Sequence, residues 1–189
     1  YDKHMEETGH YTAQEKVYNA IKPYIKGPVI DLACGPGFML EKIQRDFENV
    51  FANDISENMI DLAKTRVNPN VSFSQDDVNV LSSHKDRKFK TMISSNLFFY
   101  IKEKDKIIKF WKNFLEKDGT IIFVEEYPFI QPKSEFLEGK QSGITSVILP
   151  ISPDEINSIM TLNGFEQVTK IKIPIDDSHD LYGLVYSLV

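Results

Sequence analysis

The chain has 189 residues, of which 41% are hydrophobic and 26% charged, a length and balance that suit one globular domain and exclude a disordered polymer. Its 22 basic and 28 acidic residues leave a net charge of −6, which argues against nucleic acid held on a general basic surface. One cysteine, Cys34, excludes a disulfide framework and a multi-thiolate zinc site and suits a reducing, cytoplasmic setting, and no apolar run approaches the ~20 residues of a membrane span.

Short β-branched runs alternate with segments of helical period, the pattern of an α/β domain with a largely parallel sheet. Thr12-Ala13-Gln14-Glu15 forms a capping box that predicts a first helix with Val17, Ile21 and Ile25 on one face, stopped by Gly27-Pro28. Val29-Ile30-Asp31-Leu32 reads as a buried strand. The turn Ala33-Cys34-Gly35-Pro36-Gly37 follows, then a helix with Met39, Ile43 and Phe47 on its stripe. A second strand over 50–54 leads to a helix that Ser56 can cap and that turns Met59, Ile60 and Ala63 inward. Residues 71–73 and 89–94 predict the third and fourth strands.

The run Lys102, Lys104, Lys106 and Lys109 reads as a solvated helix face. That helix carries Ile107, Ile108, Trp111, Phe114 and Leu115 and is expected to end at Asp118-Gly119, before a fifth strand over 120–124. Residues 127–151 show no clear period. Ser152-Pro153-Asp154-Glu155 is a second capping box, with proline at the first helical position, and opens a helix that runs to Leu162. Two strands, 165–173 and 181–188, close the sequence.

In an open parallel sheet, ligands bind outside the carboxyl ends of the strands, which directs attention to the turn after Leu32. Ala33, Gly35 and Gly37 are small where a ligand must pass close to the backbone, and the following helix aims N–H groups at it. A dinucleotide fingerprint needs a third glycine, and that position holds Leu40. Asp54 ends the second strand, placed to accept from both hydroxyls of a ribose. Gln75-Asp76-Asp77-Val78 ends the third, where an acid can accept from an adenine amine and the next N–H can donate to a ring nitrogen. Taken singly each could be a cap or a turn residue. Together they mark one site at three successive strand ends.

These segments resemble the class I S-adenosylmethionine-dependent methyltransferases: residues 29–37, Asn53-Asp54-Ile55 through Ala63, Gln75-Asp76-Asp77, 89–100, and 118–125 with the closing Asn163-Gly164-Phe165. Ala33 stands where the family's first glycine is commonest, Asp76 where a glycine usually precedes the acid, and Lys90 where an aspartate often follows the phenylalanine. The resemblance implies a doubly wound, Rossmann-like α/β fold with seven strands in order 3-2-1-4-5-7-6, the last strand antiparallel and helices on both faces. It implies one methyltransferase domain over 1–189: an arm and helix over 1–27, a cofactor-binding core over 28–126, a substrate-recognition segment over 127–151, and the final helix and strand pair over 152–189.

It further implies S-adenosyl-L-methionine as cofactor, with S-adenosyl-L-homocysteine as product. On the matching positions, Asp31 approaches the methionine ammonium together with the backbone of Ala33 and Ser95, while Cys34, Gly35 and Gly37 shape the loop. Asp54 holds the ribose, and Ile55 and Met59 cover an adenine face. Asp77, favoured over Asp76, reads the adenine edge with Val78, and residues 96–98 from Asn96 to Phe98 line the methionine side. The expected reaction is in-line methyl transfer to a small-molecule acceptor. Its alternatives are a protein acceptor, or an inactive cofactor-binding regulatory or partner protein; an NAD-dependent oxidoreductase is disfavoured by Leu40.

Methyl transfer from a sulfonium needs alignment more than a dedicated catalytic side chain. Ser95-Asn96-Leu97-Phe98 stands in place of an Asn/Asp-Pro-Pro-Tyr motif, which argues against adenine or glutamine nitrogen as acceptor. The groups available to a substrate are Tyr1, His4, His10 and Tyr11 in the arm, Phe98-Phe99-Tyr100, and Glu125, Glu126, Tyr127 and Phe129. Of these His10, Tyr11 and Tyr127 are the catalytic candidates. His84 lies in a polar loop near Asp86 and His179 follows Asp176-Asp177-Ser178; neither has metal-ligand spacing, so no metal site is expected. Oligomeric state is left open, and no membrane partner is expected.

Overall fold

A computed structural model of the chain describes residues 9–129 and 148–189. In chain order the elements are α1 (His10–Ile21), β1 (Val29–Leu32), α2 (Phe38–Asp46), β2 (Val50–Asp54), α3 (Glu57–Lys64), β3 (Ser72–Gln75), β4 (Phe89–Ser95), α4 (Lys104–Lys112), β5 (Leu115–Tyr127), α5 (Pro153–Leu162), β6 (Phe165–Pro174) and β7 (Asp180–Leu188). Single 3-10 turns lie at Lys22–Tyr24, Ser82–His84 and Phe98–Tyr100.

The strands form one sheet of order β3-β2-β1-β4-β5-β7-β6. Strands β1 to β5 pair in parallel, and β7 runs antiparallel to both β5 and β6. Because β2 and β3 build outward on one side of β1 and β4 on the other, the chain reverses its direction of winding at β1. In an open α/β sheet such a switch point is where a crevice forms outside the carboxyl ends of the strands. Register aligns Leu32 with Asn53 and Ser94, Asp54 with Gln75, and Ser95 with Val124, so the site candidates share one edge of the sheet.

Alternation along each strand divides the core in two. Ile30, Leu32, Met92 and Phe123 face α4 and α5 with Phe98, Trp111, Ile156 and Tyr186. Val29, Ile93, Ile122 and Val124 face the other way, against Val17 and Ile21 of α1, Ile43 of α2 and Ala63 of α3. Strand β1 is buried along its whole length, as a central parallel strand must be when helices cover both faces. No helix among the described residues is long and apolar enough to cross a membrane.

Several local expectations change. Helix α1 begins at His10 behind Gly9, without a side-chain cap, so the Thr12–Glu15 box lies inside the helix. The extra residues are held by tertiary contacts: Tyr11 stacks on Phe38 with ring centroids 4.5 Å apart. The Ser152 box forms as expected, with Glu155 N–H donating to Ser152 Oγ and Ser152 N–H to Glu155 Oε2.

Helix α4 ends at Lys112, short of Asp118. Phe89 N–H donates to Phe114 O and Leu115 pairs with Phe89, so sheet pairing captures residues whose spacing suits a helix. Asp118, at φ 55°, instead sits where the register jumps between the Phe89–Leu115 and Thr91–Thr120 pairs. The lysine run is not uniformly solvated either. Lys104 is partly buried and donates to Ile101 O and Leu149 O. His84, expected in a polar loop, is buried against Phe51 and Phe89 and bonds Ser74 Oγ through Nε2.

Gly183 of β7 permits α1 to lie close on the sheet. A Cβ there would stand 2.9 Å from Ile21 Cγ2 and 3.0 Å from Val17 Cγ1, both on β-branched side chains with little freedom to move. Gly183→Ala is expected to lower stability by about 1–3 kcal/mol through overpacking. Urea unfolding checks this, and an unchanged midpoint would show that α1 is not packed as described.

Candidate functional site

The loop after β1 is built from left-handed backbone. Ala33, Gly35 and Gly37 have φ of 51°, 54° and 88°, so Ala33 occupies a conformation that costs an L-residue where glycine would be free. The loop is tied to the end of β2. Asn53 Oδ1 accepts from Ala33 N–H at 3.3 Å, Asn53 O from Cys34 N–H at 2.9 Å, and Asp54 Oδ2 from Gly35 N–H at 2.8 Å. Gly37 lies so near α3 that a Cβ would meet Ala63 Cα and Cβ at 3.0 Å. The thiol of Cys34 is buried, which pushes its pKa up.

Asp54 is buried, and its second oxygen accepts from Ser56 N–H at 2.9 Å. Ser56 occupies the N-cap of α3 but makes no side-chain cap, contrary to expectation; the Asp54 carboxylate engages its N–H instead. Asp31 differs in kind. It is 1% exposed, and neither carboxylate oxygen has a hydrogen-bond partner among the described residues. Burial, and secondarily the charge of Asp54, raises its pKa to about 8. An unpaired buried carboxyl is costly unless something else satisfies it.

The Asp76-Asp77 doublet divides its labour. Asp76 points inward and accepts from Ser82 Oγ at 3.0 Å and Ser83 N–H at 2.8 Å, while its carbonyl accepts from Asn53 Nδ2. Asp77 is half-buried and accepts from Asn79 N–H and Nδ2. Val78 is buried and its carbonyl accepts from Trp111 Nε1.

Ile55 and Met59 stand 67% and 38% exposed beside Asp54. The expectation that Met59 turns inward is therefore corrected: α3 buries Ile60 and Ala63 instead. Beyond β4, Ser95 is half-buried and Asn96, at φ 49°, accepts through Oδ1 from Glu126 N–H at 3.2 Å. Phe98 does not line this edge. It is fully buried, packed on Phe123 and Trp111.

Two acids at the end of β5 face opposite ways. Glu125 is buried, and its Oε1 accepts from Phe98 N–H at 3.0 Å and Leu97 N–H at 3.3 Å, with Oε2 unpartnered among the described residues. Burial raises its pKa to about 8, against the lowering pull of those two N–H groups. Glu126 faces α1, where His10 Nε2 lies 3.4 Å from Oε2 and His179 Nε2 3.4 Å from Oε1. His179 Nδ1 is 2.8 Å from Asp176 Oδ1, and hydrogen bonds from Ser178 hold the Asp176 pKa down at about 2.

Of the three catalytic candidates, Tyr11 packs on Phe38 and Tyr127 packs on the α4–α5 face, away from His10. Tyr1, His4 and residues 130–147 of the expected recognition segment lie outside the described residues. Sequence reasoning named Glu126 and His179 separately but not their meeting with His10, and it passed over the isolation of Glu125. The signals were two adjacent acids ending an apolar strand and a histidine just before the last strand.

Residues 29–119 match the family described as "Methyltransferase domain". That stretch, from β1 to the start of β5, carries the likeness to the family. The fold of the chain is shared with solved S-adenosylmethionine-dependent methyltransferases. An S-adenosylmethionine-dependent methyltransferase from Aquifex aeolicus superposes with a TM-score of 0.70 at 17% identity, over 92% of this chain and 89% of that one. The magnesium protoporphyrin IX methyltransferase of Synechocystis, with bound S-adenosylhomocysteine, gives 0.69 at 18% identity over 96% and 84%. The glycopeptide N-methyltransferase MtfA with S-adenosylmethionine gives 0.68 at 14% over 94% of each chain. At these identities the likeness is one of fold. No curated protein matches the sequence significantly.

The two raised carboxyl groups couple the stability of the chain to pH. The folded chain keeps protons on Asp31 and Glu125 up to about pH 8, above the ordinary values of 3.8 and 4.5, whereas the unfolded chain has released them. Stability from these groups is thus full below about pH 4 and is lost as pH rises toward about 8. Urea midpoints measured across that window are expected to fall, and Asp31→Asn and Glu125→Gln each to flatten the fall. A profile unaltered by either substitution would refute the assignment.

Proposed function

We propose that the chain, working as one methyltransferase domain, binds S-adenosylmethionine across the carboxyl ends of β1, β2 and β3 and transfers its methyl group to a small-molecule acceptor. The observation that carries this reading is Asp31, a buried carboxyl with both oxygens unpartnered among the described residues, at the switch point of the sheet. A cationic ammonium supplies what that carboxyl lacks, and the carbonyls of Ala33 and Ser95 are the expected further acceptors. Asp54 has one further lone pair on each oxygen beyond those used by Gly35 and Ser56, which suits the hydroxyls of a ribose.

The remaining surface fits a flat aromatic base. Ile55 and Met59 are large apolar groups left exposed next to Asp54, and Asp77 is the acid of its doublet that is not committed to an inner turn. Cys34, Gly35 and Gly37 keep side-chain bulk away from the ligand, and Asn96 shapes the methionine end.

The cofactor, when bound, supplies a methyl group activated on a sulfonium. The chain's own part is to orient that group, exclude water and hold the acceptor in line. Glu125 acts as a positioning residue: protonated at neutral pH, it holds the backbone of residues 97–98 at the mouth of the crevice. A small-molecule acceptor is supported by the net charge of −6, which disfavours nucleic acid, and by solved neighbours named for a porphyrin and a glycopeptide.

Calorimetry with S-adenosylmethionine tests the site. Asp54→Ala is expected to weaken binding about 10- to 100-fold, the loss of charge-assisted hydrogen bonds, with folding checked by circular dichroism. Because the ammonium favours ionised Asp31, wild-type affinity should rise with pH below about 8, by up to ~10-fold per unit, and Asp31→Asn should remove that slope. Unchanged affinity in Asp54→Ala would take Asp54 out of the site. Methyl release over candidate acceptors then separates an enzyme from a binding protein.

A further inference from the structure

The cluster of His10, Glu126 and His179 is not used by the reading above. One ligand atom from each of the three lies within 4.8 Å of the others. Glu126 and His179 are buried and His10 is nearly so, so the cluster is an interior feature and not a chance meeting of surface charges. Its parts come from three elements: the first turn of α1, the end of β5 and the residue before β7.

The hydrogen-bond pattern around His179 is informative. His179 Nδ1 lies 2.8 Å from Asp176 Oδ1, an orientation of the ring that points Nε2 at Glu126. Nε2 faces a carboxylate oxygen of Glu126 at 3.4 Å, an arrangement that a positive centre between the two atoms satisfies. The distance also matters: 3.4 Å is long for a hydrogen bond but is about the separation of two ligand atoms across a tetrahedral angle when each bond to the metal is ~2.1 Å. His10 Nε2 stands at the same 3.4 Å from the other oxygen of Glu126.

We propose that His10, Glu126 and His179 form a binding site for a divalent transition-metal ion of the zinc class. Two imidazole nitrogens and one carboxylate suit such an ion, while three protein ligands leave a coordination position open. Asp176 is the outer partner that orients His179, the usual companion of a metal-bound histidine. By strand parity Glu126 lies on the sheet face of Val124 and α1, which is also the face of Asp31, and it ends β5 at the same carboxyl edge as the cofactor loop. The open position therefore belongs to the end of the sheet where an acceptor would be held. The site itself does not depend on the choice of cofactor.

Metal content and competition against a chromophoric chelator test this on the full chain, with zinc and cobalt(II) as probes. The wild type is expected to take up one zinc per chain and to melt at higher temperature with it, and cobalt(II) to give the visible absorption of a nitrogen- and oxygen-ligated ion. Glu126→Gln, which keeps the shape of the side chain, and His179→Ala should each lose at least ~100-fold in affinity, and Asp176→Asn about 10- to 100-fold. Circular dichroism of the metal-free variants confirms that they fold. Wild-type uptake no greater than that of a variant lacking all three ligands overturns the proposal, as does affinity unchanged in Glu126→Gln. A cluster bridged by a proton alone would show titration of His179 without metal uptake, and that result also overturns it.

Discussion

One carboxylate holds the crevice together. Asp54 accepts from the N–H of Gly35 on one side and of Ser56 on the other, so the loop leaving β1 and the turn entering α3 are pinned to the same point at the end of β2. Around that point three residues hold left-handed backbone, one of them Ala33, for which the conformation is unfavourable. The strain persists because Asn53 and Asp54 over-determine the loop from the neighbouring strand. A loop held this way keeps its shape before any ligand arrives, and ligand binding then carries less ordering cost.

Acidic groups are distributed along this edge by function more than by charge. Asp54 and Asp76 are satisfied by N–H and O–H donors and serve the frame. Among the described residues Asp31 and the outer oxygen of Glu125 are buried without a donor, and burial raises the pKa of both. They lie on opposite faces of the sheet, so one cation cannot serve both. Asp31 looks to the crevice beside β1, whereas Glu125 supports the backbone that follows β4. Glu126, next to Glu125 in the chain but turned to α1, meets histidines instead.

Where sequence reading failed, a longer-range contact outweighed a local preference. The residues around Phe114 and Leu115 have helical spacing, but Phe89 offers a partner strand and takes them into the sheet. The Thr12 box is a sound cap that goes unused because Tyr11 and His10 gain tertiary partners one turn earlier. Met59, expected on the inward stripe of α3 and also over an adenine, is exposed, and Phe98, expected on the methionine side, lies in the core. Apolar residues carry no label saying whether they meet the core or a ligand, and only the rotation of α3 and the turn after β4 decided it.

What the sequence by itself determined is the alternating α/β pattern and the tight turn after β1. Alternating strand and helix periods, glycines at Gly35 and Gly37 and acids at three strand ends are local patterns, and parallel pairing with right-handed crossovers leaves few ways to assemble them. The Ser152 cap was legible in this way, whereas the strand order followed only from the resemblance to a known family. What only the tertiary structure decided is which polar groups end up buried without partners and which meet across the fold. The isolation of Asp31 and Glu125, and the convergence of His10, Glu126 and His179, depend on three-dimensional closure over the sheet edge. Spacing along the chain carries no trace of that closure, because the residues that create it come from the first helix and the last strands.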